Sequence, residues 1–374
     1  MASSGGGSGG GSGGGSRGGG SGGDARPVRP GEALDGARVS AWLRGVLPDL
    51  EGEPEITQFT GGASNWTYRL RYPSHDLILR RPPAGTKAKS AHDMAREHRV
   101  QAALRPVFPR VPRMIALCTD AEVIGAEFYV MERLDGLIPR KDWPREAPLD
   151  ADGARRVARA AIDVLAELHA VDPVAAGLAG LGKGRGYARR QVQGWDERFA
   201  KAKTWNVAPM TEVRRWLLAN VPDDVGEVVI HNDFRLDNLV LDRADPARVI
   251  GVLDWEMATI GDPLMDLGSA LAYWVEAGDD VLMRSTRRQP THLPGMPTRR
   301  ELVAWYLERT GRVGVDFTFY EVFGLFRLAV IAQQIYYRYH HGQTRNPAFR
   351  HFWLWVNYLG WRAGRVLRGA RGPT

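Results

Sequence analysis

The run His231-Asn232-Asp233-Phe234-Arg235-Leu236-Asp237-Asn238 sets a carboxylate and a carboxamide five residues apart, and Leu253-Asp254-Trp255-Glu256 brings a second carboxylate to the end of a later apolar stretch. An Asp, four residues, an Asn, and then an Asp at a strand end supply what hydroxyl-directed phosphoryl transfer needs. A carboxylate at Asp233 can aim a hydroxyl at the γ-phosphorus and accept its proton late in the reaction. Magnesium takes hard oxygen ligands, so the amide oxygen of Asn238 and the carboxylate of Asp254 suit it, with ATP phosphates and water completing the octahedron. Neither thiol nor imidazole is required, and His231 and His169 read as structural hydrogen-bonding histidines. Each of these residues alone would be a turn Asp or a capping Asn; the chemistry is carried by the joint spacing between apolar runs.

The elements that must position these residues are short apolar runs at Val228–Ile230, Leu239–Leu241 and Val249–Leu253, a β-rich island inside a mainly helical half. Upstream, a short amphipathic helix (Val39, Trp42, Leu43, Val46) precedes strand-like runs at Glu55–Phe59, Trp66–Tyr72 and Asp76–Arg80. A polar helix follows around Ala91–Leu104, then strand-like runs near Arg113–Thr119 and Glu127–Glu132. Gly61-Gly62-Ala63-Ser64-Asn65, between two of the strand runs, is a loop whose small residues let backbone N–H groups approach phosphates; a ligand-free hairpin turn would use the same residues. Leu134–Gly136 reads as a hinge, after which Ala158, Ile162, Leu165 and Leu168 share one helical face. Asp262 before Pro263 reads as a helix N-cap with proline at the first helical position. The expected organisation is a Gly/Ser-rich disordered tail at 1–23, a small β-rich lobe at 24–134 that binds nucleotide phosphates, and a larger helical lobe at 135–374 with the catalytic loop, metal site and acceptor site.

Composition narrows the function. The 374 residues carry a net charge of +7, but only six of the 50 basic residues are lysines and the arginines are scattered without a polybasic run, which argues against a nucleic-acid partner. Cys118 is the single cysteine, so neither an intrachain disulfide nor a thiolate metal cluster is possible. The chain lacks a secretory h-region and any apolar stretch of membrane-spanning length, so a cytoplasmic location without membrane association is expected. No protein partner is inferable.

On Phe59-Thr60-Gly61-Gly62-Ala63-Ser64-Asn65-Trp66-Thr67-Tyr68, Leu79-Arg80-Arg81-Pro82-Pro83, Ala91-His92-Asp93-Met94-Ala95-Arg96-Glu97-His98, Phe128-Tyr129-Val130-Met131-Glu132 and Gly261-Asp262-Pro263-Leu264-Met265-Asp266-Leu267-Gly268, the chain resembles the aminoglycoside phosphotransferase and choline kinase superfamily. Within it, the closest resemblance is to the kinase domains associated with acyl-CoA dehydrogenases, over roughly residues 35 to 365. The resemblance implies an α+β, bilobal protein-kinase-like fold with a small β-rich N-lobe and a larger, mainly helical C-lobe, and an ATP- and Mg2+-dependent small-molecule kinase. It implies nucleotide binding by Gly61, Gly62, Ser64 and Asn65, and by Arg80 in the place of the usual strand lysine, held by Glu97. Backbone groups of Met131, Glu132 and Arg133 would meet the adenine edge, and Asp266 would brace the catalytic loop. A catalytically silent pseudokinase would have lost Asp233, Asn238 or Asp254, and all three are present. A protein kinase would carry Asp-Phe-Gly where this chain has Asp254-Trp255-Glu256.

The acceptor is expected to be a small anionic molecule. Residues 275–374 hold 15 arginines against seven acidic residues, which disfavours a polycationic antibiotic and attracts a carboxylate or CoA conjugate. The resemblance itself implies hydroxy acids or hydroxyacyl-CoA thioesters. Arg327 and Gln334, seven apart on one face of a helix expected at Phe323–His341, are the acceptor candidates.

Overall fold

The computed structural model of the protein describes residues 25–59, 65–83 and 93–370; the expected 1–23 tail and Gly61, Gly62 and Ser64 lie outside them. The N-lobe is a six-stranded sheet built from β1 (Ala25–Arg26), β2 (Glu55–Phe59), β3 (Trp66–Arg71), β4 (Asp76–Arg81), β5 (Met114–Cys118) and β6 (Phe128–Glu132), with α1 (Gly36–Arg44) on one face and α2 (Met94–Leu104) on the other. Its order is β1-β2-β3-β4-β6-β5, every neighbouring pair antiparallel. β1, two residues long, carries no periodic signal and was not expected from the sequence.

Strand alternation decides what each face offers. Leu77 and Leu79 of β4 pack with Tyr68, Leu70, Phe128 and Val130 under α1, burying Val39 and Leu43. Ile78 shares the opposite face with Tyr129, Met131 and Met94 of α2, and Arg80 is directed the same way. Because β4 is interior to the sheet, Arg80 is 8% exposed. The helix read as polar therefore packs its charged Glu97 inward, with Met94, Val100, Gln101 and Leu104.

The C-lobe holds α3 (Ala151–His169), α4 (Tyr187–Lys201), α5 (Thr211–Ala219), α6 (Pro263–Leu271), α7 (Val281–Ser285), α8 (Arg299–Arg309), α9 (Thr318–His340) and α10 (Phe352–Ala370). α9 starts five residues before the expected Phe323. Helices α6 and α9 approach so closely that a Cβ on Gly324 would lie 2.1 Å from Gly268 O, a contact only glycine permits. Asp262 caps α6 through Leu264 N–H and Met265 N–H at 2.8 and 3.0 Å, with Pro263 in the first turn, as expected.

The β-rich island proves to be two ribbons, β7 (Val228–Ile230) with β10 (Thr259–Gly261), and β8 (Leu239–Leu241) with β9 (Val249–Val252). The strand β10, Thr259-Ile260-Gly261, was missed because, unlike the all-apolar β7 and β8, it has one apolar residue and ends in a glycine. The two ribbons share their connections: 231–238 runs from β7 to β8, and 253–258 from β9 to β10. Both polar loops therefore span the same gap.

Candidate active site

Ribbon register brings the two loops together. Leu239 pairs with Val252, and Leu253 N–H donates to Asn238 O at 2.8 Å, so Asn238 and Asp254 emerge side by side at the end of one ribbon. Asn238 Nδ2 donates to Asp233 O at 2.8 Å and to Asp233 Oδ2 at 3.1 Å, which ties the two ends of the loop. Arg235, stacked 4.8 Å over the Tyr273 ring, donates to the same Asp233 oxygen at 3.1 Å. Burial pushes the Asp233 carboxyl up, against the opposing pull of Arg235.

The loop is anchored from beneath. The fully buried Asp266 carboxylate accepts His231 N–H and Asn232 N–H, both at 2.8 Å, and contacts His169 Nε2 at 3.1 Å; His169 Nδ1 in turn meets the Tyr306 hydroxyl at 2.6 Å. Burial alone would raise Asp266, yet the His169 hydrogen bond and the backbone donors hold it below the ordinary carboxylate value. His231 Nδ1 accepts the Asp233 N–H at 3.2 Å, which leaves Nε2 to donate to Leu253 O at 3.0 Å. That bonding makes His231 a cross-loop strut.

Arg80 is a second centre. Its guanidinium lies 3.1 Å from Glu97, 2.6 Å from Asp254 Oδ1 and 3.1 Å from Glu256 Oε2. Asp254 is thereby held below its ordinary value although burial would raise it, whereas burial raises Glu97 in spite of Arg80. Among the described residues Arg80 Nε and both Glu97 oxygens lack a well-directed hydrogen bond, although the Tyr129 hydroxyl lies near enough to Glu97 to pull its carboxyl down, so the cluster is electrostatically joined but not fully saturated in geometry. Arg96 of α2 adds an interlobe link by donating to Glu256 O at 3.1 Å and to Ala258 O.

Between the lobes lies a cavity of about 370 Å³, within the range of small-ligand pockets. Arg80, Asn238 and Asp254 line one part of it, Met131, Glu132, Arg133 and Leu134 another, and Ile78, Leu137, Val240 and Leu253 supply apolar walls. At the expected hinge the N–H groups of Glu132 and Arg133 are already donated, to Arg113 O at 2.9 Å and Asp76 O at 3.2 Å. At these two residues a base edge would have to use carbonyl oxygens.

The structure thus gathers Asp233, Asn238, Asp254, Arg80 and Glu97, with His231 and Asp266 beneath. Asn65 is buried and donates to Glu256 Oε2 at 3.1 Å, so it meets the cluster through Glu256. Arg327 is 6% exposed, donates to Asn232 O at 2.8 Å and lies 5.3 Å over the Trp195 ring. The half-buried Gln334 sits two turns further along α9, about 10 Å away by helical rise, and no described hydrogen bond links it to the loops. Sequence reasoning gave no role to Glu256, Arg96, Arg235 or Tyr187. Glu256 and Arg235 stood within the quoted motifs and could have been weighed as charges two residues from Asp254 and Asp233; Arg96 and Tyr187 carry no local signal.

A family model described as "Phosphotransferase enzyme family" matches residues 55–302. Mouse acyl-CoA dehydrogenase family member 10 is 36% identical over 324 residues, covering 86% of this chain and 30% of that protein, and human acyl-CoA dehydrogenase family member 11 is 35% identical over 326 residues, covering 84% and 41%. The chain therefore spans between 30% and 41% of the length of these relatives. The solved structure of a protein described as an aminoglycoside phosphotransferase from Ralstonia eutropha superposes with a TM-score of 0.73 at 29% identity, covering 89% of this chain and 99% of that one. The family match over most of the chain agrees with the bilobal architecture, and the protein belongs to the phosphotransferase enzyme family.

Proposed function

We propose that the protein transfers the γ-phosphoryl group of ATP to a hydroxyl of a small anionic molecule, a hydroxy acid or a hydroxyacyl-CoA thioester. The observation that carries this reading is the convergence of Asp233, Asn238, Asp254 and Arg80 around the two ribbon-linked loops beside the interlobe cavity. Asp233 aims the acceptor hydroxyl and takes its proton as the new P–O bond forms and ADP leaves. Arg80 binds phosphate oxygens with its fork of N–H donors.

The residues fit magnesium. The Asn238 amide nitrogen is committed to Asp233, which leaves its oxygen as a hard donor, and Asp254 Oδ2 is the oxygen that Arg80 does not hold. When bound, the ion neutralises charge on the β- and γ-phosphates.

An anionic acceptor is supported by the guanidinium groups of Arg235, which bonds the Asp233 carboxylate, and Arg327, which bonds Asn232 O, backed by the rings of Tyr273 and Trp195. The test is mass-spectrometric detection of phosphorylated product from Mg–ATP with a panel of hydroxy acids, hydroxyacyl-CoA thioesters and aminoglycosides. Anionic acceptors should be phosphorylated, and Asp233→Asn should lose about a hundredfold or more in kcat. Equal yields from wild type and Asp233→Asn would remove the proposal, and preference for aminoglycosides would remove its acceptor half. Among the described residues no helix is long and apolar enough to cross a membrane.

A further inference from the structure

Four segments remote in sequence meet on Asn232. Its N–H donates to Asp266 Oδ1 at 2.8 Å, and its carbonyl accepts from Arg327 Nη2 at 2.8 Å. Its side-chain oxygen accepts from the Tyr187 hydroxyl at 3.0 Å, while its amide nitrogen donates to Met257 O at 3.1 Å. All of its polar groups are thus engaged, by α6, α9, α4 and the loop that carries Asp254. The residue sits at φ 64, one of three described non-glycine residues with positive φ; Asp254 is another. Asparagine tolerates this left-handed region better than most side chains, and an isolated one is worth examining for a role.

The next residue is Asp233. Since Asn232 fixes the peptide that carries the base, its orientation is set by whichever elements hold it. α4 is itself fixed at its start, where Asp224 accepts N–H groups from Gly186, Tyr187 and Ala188 at 2.5, 2.8 and 2.8 Å. Neither Tyr187 nor Arg327 lines the interlobe cavity.

We infer that Asn232 is a positioning residue whose side chain couples α4 and the Asp254 loop, and whose carbonyl ties in α9 through Arg327, to the alignment of Asp233. The inference rests on the reading of Asp233 as the proton acceptor. A glycine at 232 would supply the left-handed backbone but neither side-chain bond, whereas alanine would supply neither backbone ease nor bonds. The variant Asn232→Gly therefore separates the side-chain brace from the backbone requirement, and Tyr187→Phe removes one arm of the brace alone.

The full chain and both variants would be compared for thermal melting, Mg–ATP affinity by calorimetry, hydrogen exchange across 231–238, and ADP release with short hydroxy acids as the acceptor probe. Expected are Mg–ATP affinities within roughly twofold of wild type, a roughly tenfold or larger fall in kcat for Asn232→Gly at unchanged KM for ATP, and a roughly threefold fall for Tyr187→Phe, as misalignment of a reacting group predicts. Exchange in the loop should quicken in both. Wild-type kcat and wild-type exchange in Asn232→Gly would overturn the inference, as would a loss of kcat with no change in loop exchange. Unaltered Tyr187→Phe would overturn the α4 arm. Should the wild type release no ADP, the phosphotransfer reading fails instead, and loop exchange in Asn232→Gly decides the brace on its own.

Discussion

Two buried ion clusters, one at the cleft and one in the C-lobe, use the same groups in opposite ways. At the cleft a single guanidinium, Arg80, faces three carboxylates, Glu97, Asp254 and Glu256, with Arg80 Nε and the Glu97 oxygens lacking directed hydrogen bonds among the described residues. In the C-lobe two guanidinium groups share one carboxylate: Asp279 accepts from Arg299 at 2.8 and 2.9 Å, from Arg362 at 2.5 Å and from Glu276 N–H at 2.8 Å, and the Glu276 carboxylate adds a second ion pair to Arg299 at 3.3 Å. The second cluster is saturated and binds α8 and α10 to the α6–α7 connection. Both border cavities, the second one of about 390 Å³ lined by Glu276, Arg299 and Arg362, but only the first holds one guanidinium against three carboxylates, an arrangement that a cation and phosphate groups would complete. A saturated buried pair serves the fold, whereas an unsaturated one leaves interaction free for a ligand.

Breaking the cleft cluster should affect turnover most. Arg80→Lys keeps the charge but loses the fork, so turnover of Mg–ATP should fall by at least about tenfold while the melting temperature moves little. Similar losses of melting temperature and turnover would show that Arg80 is a structural ion pair.

Breaking the C-lobe cluster should do the reverse. Asp279→Ala leaves Arg299 and Arg362 without their shared acceptor and should cost about 3 kcal/mol of stability by denaturant titration, with kcat of the folded fraction unchanged. A kcat loss matching that of Arg80→Lys would dissolve the contrast.

The two clusters also differ in pH response. Arg299 holds the Asp279 carboxyl at about 2 against an ordinary 3.8, in spite of the burial that would raise it. A depressed folded value contributes stability above the unfolded value that is lost as pH falls through the folded one. Wild type should therefore lose about 2 kcal/mol between roughly pH 4 and pH 2 that Asp279→Asn does not lose. Asp233 runs the other way, since burial raises it, so the acid limb of kcat should have its midpoint above the ordinary 3.8. A limb at or below that value would speak against Asp233 as the base.

The smallest effect concerns neither cluster directly. Thr298 and Glu301 form a reciprocal capping box at the start of α8, the turn that also carries Arg299, and Thr298→Ala should cost about 1 kcal/mol with no change in turnover. A kinetic effect there would show that the C-lobe cluster reaches the site after all.

Much of the fold and of the candidate site was legible because the informative signals are local. Alternation along Asp76–Arg81 separates Leu77 and Leu79 from Ile78 and Arg80, and the interval between Asn238 and Asp254 is that of a short ribbon. Asp262-Pro263 announces a capped helix start within two residues. Tyr187 and Arg327 were not legible in this way, since they lie 45 and 95 residues from Asn232, and helical periodicity tells which side of a helix is buried without telling what it is buried against. Arg327 accordingly read as an acceptor ligand, while in the structure its guanidinium also supports the catalytic-loop backbone. Nor could local pattern tell which hinge backbone groups stay available, since that depends on neighbouring segments: Arg113 O and Asp76 O take the N–H groups of Glu132 and Arg133.

The sequence by itself determined the family and the bilobal order of elements, and it singled out the carboxylates and carboxamide of the proposed site, because these follow from residue type, spacing and periodicity. Only the tertiary structure decided that Arg80 is shared among Glu97, Asp254 and Glu256, that Asp266 is shared between His169 and two loop amides, and that Asn232 is held from four sides. Such partnerships arise where elements distant in the chain are pressed together, and their choice depends on packing directions and unsatisfied polar groups that no local pattern encodes.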